Sequence, residues 1–517
     1  MRSKKIRIAI TGSFLGLLAV VLVIRKESTA LPRSLDLASS QISATHSRSN
    51  ATPSSVGKAE SSAPASAAAL WSYINKPASA ARVESLMVTP SHDVHYAQID
   101  QTLLSSDQSP LKQKGARVNV ALPDGTVLPI IVEKTRSIGP DRYVTEGSME
   151  GQNQGRAVFA YNHGEMSAVI DDAQHGSWQM RSVGTATSQV FKVDGTMVPS
   201  CEASVQKMAA MKAATTTANA TGTASPVGGA PVAAGDDSSG DWTEVQDPQQ
   251  VTSNSWGNTE IRILVPYSKV IESVLSQWSI QSYIDLVIGQ LNNDLARSAI
   301  PVTVTLAGAP GLQYDQEWDG SWGPALTALN RITNSADGIM DEVHVMRVDA
   351  NADLVCFAMC AIDNGYSGVG YILNAPGDVF NATNGFSVVN FWYMSSNSVF
   401  SHEIGHNLGC NHDRQNAYAV DGSSPAGVYD YSYGYRFYGN DGQMYRTIMA
   451  YPPGNVLPYF SNPNLWAWWP INAPVGMQLG QWDEAYNALT ITQNATEVSA
   501  YRYSRLVLRI ARRIRGW

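Results

Sequence analysis

Ser401-His-Glu-Ile-Gly-His-Asn-Leu-Gly-Cys-Asn-His-Asp413 is the stretch from which the rest of the chain can be read. His402 and His406 stand four residues apart, so on a helix their imidazoles leave from one face and can share one metal ion. Glu403, beside the first of them, can reach a water on that ion without entering its coordination sphere, the position of a general base. Gly409 lets the helix stop and the backbone turn, because glycine tolerates positive φ. The turned chain can then return His412 as a third ligand. Three protein ligands of this kind leave a fourth position open, which suits a catalytic Zn2+ better than a structural one closed by four. The chain has nine histidines in 517 residues, and three of them fall in this one eleven-residue window. Chance placement is therefore a poor explanation.

Outward from this helix the chain alternates. Glu260-Ile-Arg-Ile-Leu-Val-Pro266 and Val302-Thr-Val-Thr-Leu306 have strand composition, and so has Glu342-Val-His-Val-Met346. Apolar spacing predicts an amphipathic helix over Lys269 to Ser298 and a second over Leu326 to Ile332. Gly368-Val-Gly-Tyr-Ile-Leu373 and Phe386-Ser-Val-Val-Asn-Phe391 read as further strands. Strand and helix in alternation imply an α/β (α+β) domain with a mixed, mostly parallel twisted sheet, on which the histidine helix is mounted. It is assigned to residues 258–502.

The segment from Ser401 to Asp413 resembles the metzincin metallopeptidases, and Asp413 after the third histidine is similar to the adamalysin or reprolysin branch. The resemblance extends to Thr447-Ile-Met-Ala-Tyr451, which is similar to the Met-turn and implies Met449 as an apolar floor under the zinc. Tyr451 resembles the extra, displaceable zinc ligand of astacins and serralysins, a residue adamalysins usually lack, so a plain packing tyrosine is the alternative. Leu457-Pro-Tyr-Phe-Ser-Asn-Pro463 is similar to bacterial peptidyl-Asp metalloendopeptidases, with the wall near Pro458 to Phe460 expected to set specificity. Gly368-Val-Gly-Tyr-Ile372 resembles the edge strand on which metzincins align a polypeptide substrate in extended form. The resemblance implies peptide hydrolysis by zinc with Glu403 as base. Two other functions stay open on the residues alone: a non-catalytic surface binding protein with a zinc site, and a zinc amidase acting on a non-peptide or cell-wall linkage. A calcium requirement is not readable.

Residues 91–202 have a different character. Ala116-Arg-Val-Asn-Val-Ala-Leu122, Val127-Leu-Pro-Ile-Ile-Val132 and Arg156-Ala-Val-Phe-Ala-Tyr161 are strand-like and separated by turn signals, which predicts a compact antiparallel β-rich domain. It stands before the protease-like part and is expected to be an inhibitory, folding-assisting propeptide, against the alternative of an adhesive or carbohydrate-binding module. His163 and His175 within it read as surface residues. Cys201 ends it in Met197-Val-Pro-Ser-Cys201, which resembles a degenerate version of the thiolate switch that holds metzincin zymogens latent. The competing reading is a disulfide to Cys356, Cys360 or Cys410. Such a bridge from Cys410 to Cys356 or Cys360 could also pin the histidine helix.

Low-complexity composition marks linkers at 31–90, rich in Ser and Ala from Lys26 to Ala69, and at 203–257, where cleavage is expected. Residues 1–30 place four positive charges before the apolar run Ile8 to Ile24, the layout of a signal peptide or an uncleaved N-terminal anchor, so export is expected. Residues 503–517 carry five arginines and no acid, and are either a solvated tail or a basic helix on an anionic membrane. The net charge of −8 gives no basic surface of the sort nucleic acid requires. The tryptophans of Trp466-Ala-Trp-Trp469 are expected to be core or loop anchors, against the alternative of an exposed binding patch.

Overall fold

A computed structural model describes residues 69–201 and 259–501, apart from 79, 152–154, 173, 315–323, 361–365, 374–375, 377–381, 418–426 and 469. The expected signal or anchor, most of the first linker, the 203–257 linker and the basic tail lie outside the described residues. No helix among the described residues is long and apolar enough to cross a membrane.

The β-rich half is one nine-stranded antiparallel sheet. Its strands are β1 (Trp71–Ile74), β2 (Val94–Ile99), β3 (Arg117–Ala121), β4 (Val127–Gly139), β5 (Arg142–Met149), β6 (Arg156–Asn162), β7 (Glu165–Asp172), β8 (Gly176–Gly184) and β9 (Thr187–Lys192). Their order is β1-β2-β9-β8-β7-β6-β5-β4-β3, a meander closed at one side by the N-terminal pair. Since β1 pairs with β2, ordered structure begins by Trp71, inside the segment expected to be linker up to residue 90. A four-residue strand with three exposed positions after Trp71 has too little periodicity to stand out from such a background.

Every residue of β6 is buried, because this sheet is covered on both faces. Phe159 and Tyr161 pack with Leu104, Leu111, Val118 and Ile130 on one side. Their alternates Val158 and Ala160, with Val144 and Val169, join the core of the C-terminal half on the other.

In that half, β10 (Thr259–Leu264) is flanked by the parallel strands β12 (Val302–Gly308) and β14 (Leu354–Met359). The short strands β11 (Tyr267–Ser268) and β13 (Gly311–Leu312) continue β10 and β12. Beyond β14 come β16 (Phe386–Asn390), parallel to it, and the edge strand β15 (Gly368–Gly370), antiparallel to β16. The result is the mixed, mostly parallel sheet that strand and helix alternation implied.

Five helices accompany the sheet: α1 (Gln277–Arg297), α2 (Pro324–Thr333), α3 (Glu342–Asp349), α4 (Val399–Asn407) and α5 (Asn487–Val498). Two sequence expectations need correction here. Glu342–Met346 is not a strand but the start of α3: only Val343 and Arg347 of this helix are buried, four apart, and Val345 is 60% exposed. Alternation over five residues was too short to separate the two periods. The long helix begins at Gln277, eight residues late, because a 3-10 turn occupies Lys269–Ser273 and Ser276 caps α1 by accepting the Ser279 amide.

α1 is the element that joins the two halves. Its apolar side fills the C-terminal core with Ile280, Ile284, Val287, Leu291 and Leu295. Its polar side is buried too, under the β-rich sheet. Ser279 and Ser282 bond Ser182 and Ser167 at 3.0 Å each, and Asp285 takes a bidentate pair from Arg142 at 2.7 and 2.6 Å. Asp294 receives Arg156, and Asn293 donates to Glu146 at 3.2 Å. His163 is exposed, as expected, and stacks on Trp278 with centroids 4.2 Å apart, while the half-buried His175 is held by Asp172 at 2.7 Å.

None of the four cysteines forms a disulfide, so no bridge pins the histidine helix. Cys410 is instead a buried small apolar group facing the Asn487 carbonyl at 3.8 Å. Trp466 and Trp468 are 47% and 57% exposed, so neither is a core anchor, and a loop anchor or an exposed patch remains.

Candidate metal centre

Helix α4 carries Ser401 to Asn407 across the floor of the site, with every one of its residues buried. At its end Gly409 takes φ +96°, and a Cβ there would meet Asn494 Nδ2 and Val428 Cγ2 at 2.5 Å. Both the backbone angle and the space therefore require glycine. The reversed chain runs into Asn411–Asp413, a short strand paired with Tyr433–Gly434, and this brings His412 back over the helix. Gly409→Ala should destabilise the chain by about 2–4 kcal/mol, combining strain at positive φ with overpacking, read from urea unfolding. A loss below about 0.5 kcal/mol would show that this turn relaxes freely.

His402, His406, His412 and Cys201 converge. One donor atom from each lies within 4.8 Å of all the others, and all four residues are buried. The Nε2 atoms of His406 and His412 are 3.0 Å apart, and the Cys201 sulfur is 3.6 and 3.7 Å from them. His402 is oriented by its Nδ1 on the Ile448 carbonyl at 2.8 Å, and His406 by its Nδ1 on the Cys410 carbonyl at 2.9 Å. Those outer bonds turn each Nε2 inward, as outer partners of metal-binding histidines do. His402 Nε2 and both Glu403 oxygens have no protein hydrogen bond although buried. Burial holds all three imidazoles in the neutral form that binds metal, with His402 and His412 well below the ordinary range and His406 down to about 4. Burial also pushes the Glu403 carboxyl up to about 8, offset in part by the Cys201 thiol. Three imidazoles and a thiol around one point, with an orphaned nitrogen among them, fit a tetrahedral Zn2+.

Met449 lies fully buried under α4, and Gly405 is what admits it: a Cβ at Gly405 would stand 2.5 Å from the Met449 sulfur. On the opposite side β15 crosses Glu403, where a Cβ at Gly368 would meet its carboxylate at 2.5 Å. These two glycines were not singled out from the sequence, although Gly405 lies inside the quoted motif. Their role depends on what packs against them. Asp413 is not placed as a ligand. Its Oδ2 accepts the Tyr451 amide at 2.9 Å and its Oδ1 pairs with Arg436 at 3.0 Å, tying the His412 strand to the Met-turn. Tyr451 lies tilted against His412 with centroids 4.1 Å apart, and its hydroxyl donates to the Cys201 carbonyl.

The residues before Cys201 lie along the site. The Ser367 amide, next to β15, donates to the Ser200 carbonyl at 3.4 Å, and Val198 to Cys201 line one hollow together with His402, Glu403 and Tyr451.

Comparison with known proteins agrees with this geometry. Residues 257–461 match the family model Reprolysin_5, metallo-peptidase family M12. A peptidyl-Asp metalloendopeptidase of Stenotrophomonas maltophilia strain R551-3 is 29% identical over 228 residues, covering 43% of this chain and 48% of that protein. A protein of the same description from Pseudomonas aeruginosa is 25% identical over 260 residues, covering 47% of this chain and 40% of its own length. The chain thus spans about half the length of the curated relatives it matches. A solved structure described as a chaperone-substrate complex overlaps 47% of this chain and 39% of its own at 21% identity, with a TM-score of 0.34, too slight a likeness to bear on the fold. The family match over residues 257–461, which carry His402, His406 and His412, and the likeness to peptidyl-Asp metalloendopeptidases together support a reprolysin-like metallopeptidase.

Proposed function

We propose that this chain is an exported zinc endopeptidase made in latent form, with residues up to Cys201 acting as its own inhibitor. The observation that carries the reading is the convergence of Cys201 on His402, His406 and His412 from 201 positions earlier in the chain than the first of them. His402, His406 and His412 would hold Zn2+, and Cys201 would fill the remaining position. When bound, the ion supplies Lewis-acid chemistry, polarising a scissile carbonyl and making water more acidic.

The chain's own groups do the rest. Glu403 is buried beside the cluster with only the Cys201 thiol against its carboxylate, so once that segment leaves it takes a proton from the attacking water and returns it to the departing amine. The edge strand β15 binds the substrate backbone in extended form, the arrangement that Ser200 already makes with Ser367. Tyr451, whose hydroxyl is engaged by the Cys201 carbonyl, is freed to face the substrate once that segment leaves. The curated relatives are named for cleavage at aspartate, and the same substrate class is proposed here.

Latency follows from the covering of the site, and the linker after Cys201 is the expected place of activation. Chain cut within 202–258 should cleave a diverse peptide mixture, and lose that activity to a zinc chelator. Uncut chain should be inactive, and Cys201→Ser should release activity without cutting, since a hydroxyl is a far poorer zinc ligand than a thiolate. A zinc-loaded, cut chain that leaves every peptide intact would overturn the proposal.

A further inference from the structure

Arg446 stands three residues before Met449 and is 7% exposed. Its Nε donates to the Gly454 carbonyl at 3.0 Å and its Nη1 to the Ala450 carbonyl at 2.6 Å. These bonds fix the guanidinium against the Met-turn and the segment that follows it. Both acceptors are neutral. No carboxylate among the described residues lies within ion-pair distance of Arg446, and its Nη2 makes no hydrogen bond with them. The acid in the neighbourhood is Asp413, and it is taken by Arg436, the residue directly opposite Arg446 across the Arg436–Tyr438 and Met444–Arg446 ladder. Arg436, Arg446 and Asp413 together therefore carry one positive charge in excess.

That charge faces the reacting centre. Arg446 lines the same hollow as His402, Glu403, Val399 and Ile448, on the side of the Met-turn. The N-terminal segment that lines this hollow in the latent chain is Val198-Pro-Ser-Cys201, which has no acidic side chain to offer. A buried guanidinium without a carboxylate is an unfavourable arrangement, and one that a ligand bringing a carboxylate would relieve. Arginine can meet such a carboxylate with a short, charge-assisted hydrogen bond while its other nitrogens stay fixed.

We infer that Arg446 is the specificity-determining residue of this site and selects substrates with an acidic side chain next to the scissile bond. The inference rests on the endopeptidase reading above. It also explains why an inhibitory segment of this composition can be displaced: Val198 to Cys201 cover the arginine without satisfying it, so an acidic substrate has an interaction that the inhibitor lacks.

The test uses full-length chain cut within 202–258 and matched peptides that differ only in Asp or Asn beside the scissile bond. Wild type should favour the acidic peptide on the order of 100-fold in kcat/KM, the scale of a charge-assisted bond in a dry site. Arg446→Gln should bring the two peptides to within about threefold of each other. Arg446→Lys, which keeps the charge, should retain part of the preference. Because Arg446 also braces the Met-turn through Ala450 and Gly454, a merely structural role would lower both peptides equally and leave their ratio untouched. A wild type without acidic preference, or a ratio that survives in Arg446→Gln, overturns the inference while leaving the endopeptidase reading in place. Failure to cleave any peptide removes that reading and the inference with it.

Discussion

Replacing Glu403 with glutamine should lower kcat/KM for peptide cleavage by about 1000-fold or more, while zinc content stays at the wild-type level. Glutamine keeps the volume and the planar end of glutamate, which matters because Gly368 leaves no spare room against the carboxylate. What it loses is the ability to accept a proton. A structural consequence accompanies the chemical one. The buried carboxylate of Glu403 has only the Cys201 thiol to offset its loss of water, so it is a burden on the fold. Its carboxyl is raised by burial to about 8 from 4.5. A folded value above the unfolded one means that the folded chain binds the proton more tightly, so this group's contribution to stability is fully present below 4.5 and is lost as pH rises through 8. The three histidines act in the opposite sense, since their neutral folded forms lose stability as pH falls through 6.5. The difference between metal-free wild type and metal-free Glu403→Gln isolates the glutamate. The variant should gain relative stability as pH is raised from 5 to 8. A Glu403→Gln chain that still turns over substrate would remove Glu403 from the proposed chemistry.

Much of this site was legible because its central part is local. His402, Glu403 and His406 lie within one helical turn and a half, and Gly409 and His412 follow before the chain has gone anywhere else. A period of four and a positive-φ glycine are properties that sequence carries directly. Cys201 is of another kind. The Pro-Ser-Cys resemblance offered it as a zinc thiol beside a disulfide reading, and the choice between the two depends on how the whole nine-stranded sheet sits on α1. Arg446 was overlooked, since an arginine next to a Met-turn looks ordinary until Arg436 is seen to have taken Asp413. The alternation in Glu342 to Met346 misled because two turns of an exposed helix and a half-buried strand can share five residues. The polar side of α1 is the most instructive case. Ser279, Ser282, Asp285, Asn293 and Asp294 read as a solvent-facing stripe, and that is what they would be in the catalytic half by itself. They are buried here because another part of the chain covers them.

That covering is where the second large effect is expected. Arg156 is 1% exposed and holds Asp171 of its own sheet at 2.6 Å, Asp294 of α1, and the Ser398 hydroxyl at 3.2 Å. The other Asp294 oxygen takes the hydroxyl of Ser401, the residue before His402, at 2.6 Å. One buried cation thus grips both the long helix and the start of the active-site helix. Arg142 with Asp285 makes a second ion pair, but Arg142 is 24% exposed, so water screens it and its removal should matter less. Arg156→Met leaves Asp294 and Asp171 without their cation in a dry interface, which costs about 3–5 kcal/mol. In uncut chain this should appear as a lower denaturation midpoint. In cut chain it should appear as an N-terminal half that inhibits roughly 100-fold or more less well, since each 1.4 kcal/mol is tenfold in affinity. Asp294→Asn in the same background should add little, because the two residues act as a unit and their effects are not additive. The catalytic half should be indifferent to the arginine once the two parts have separated, when Asp294 regains water. If Arg156→Met left both unfolding and inhibition at wild-type values, the hold on α1 would have to come from the apolar contacts of Val144, Val158 and Val169 with the remaining polar bonds to α1, and the buried ion pair would be a passenger of that packing.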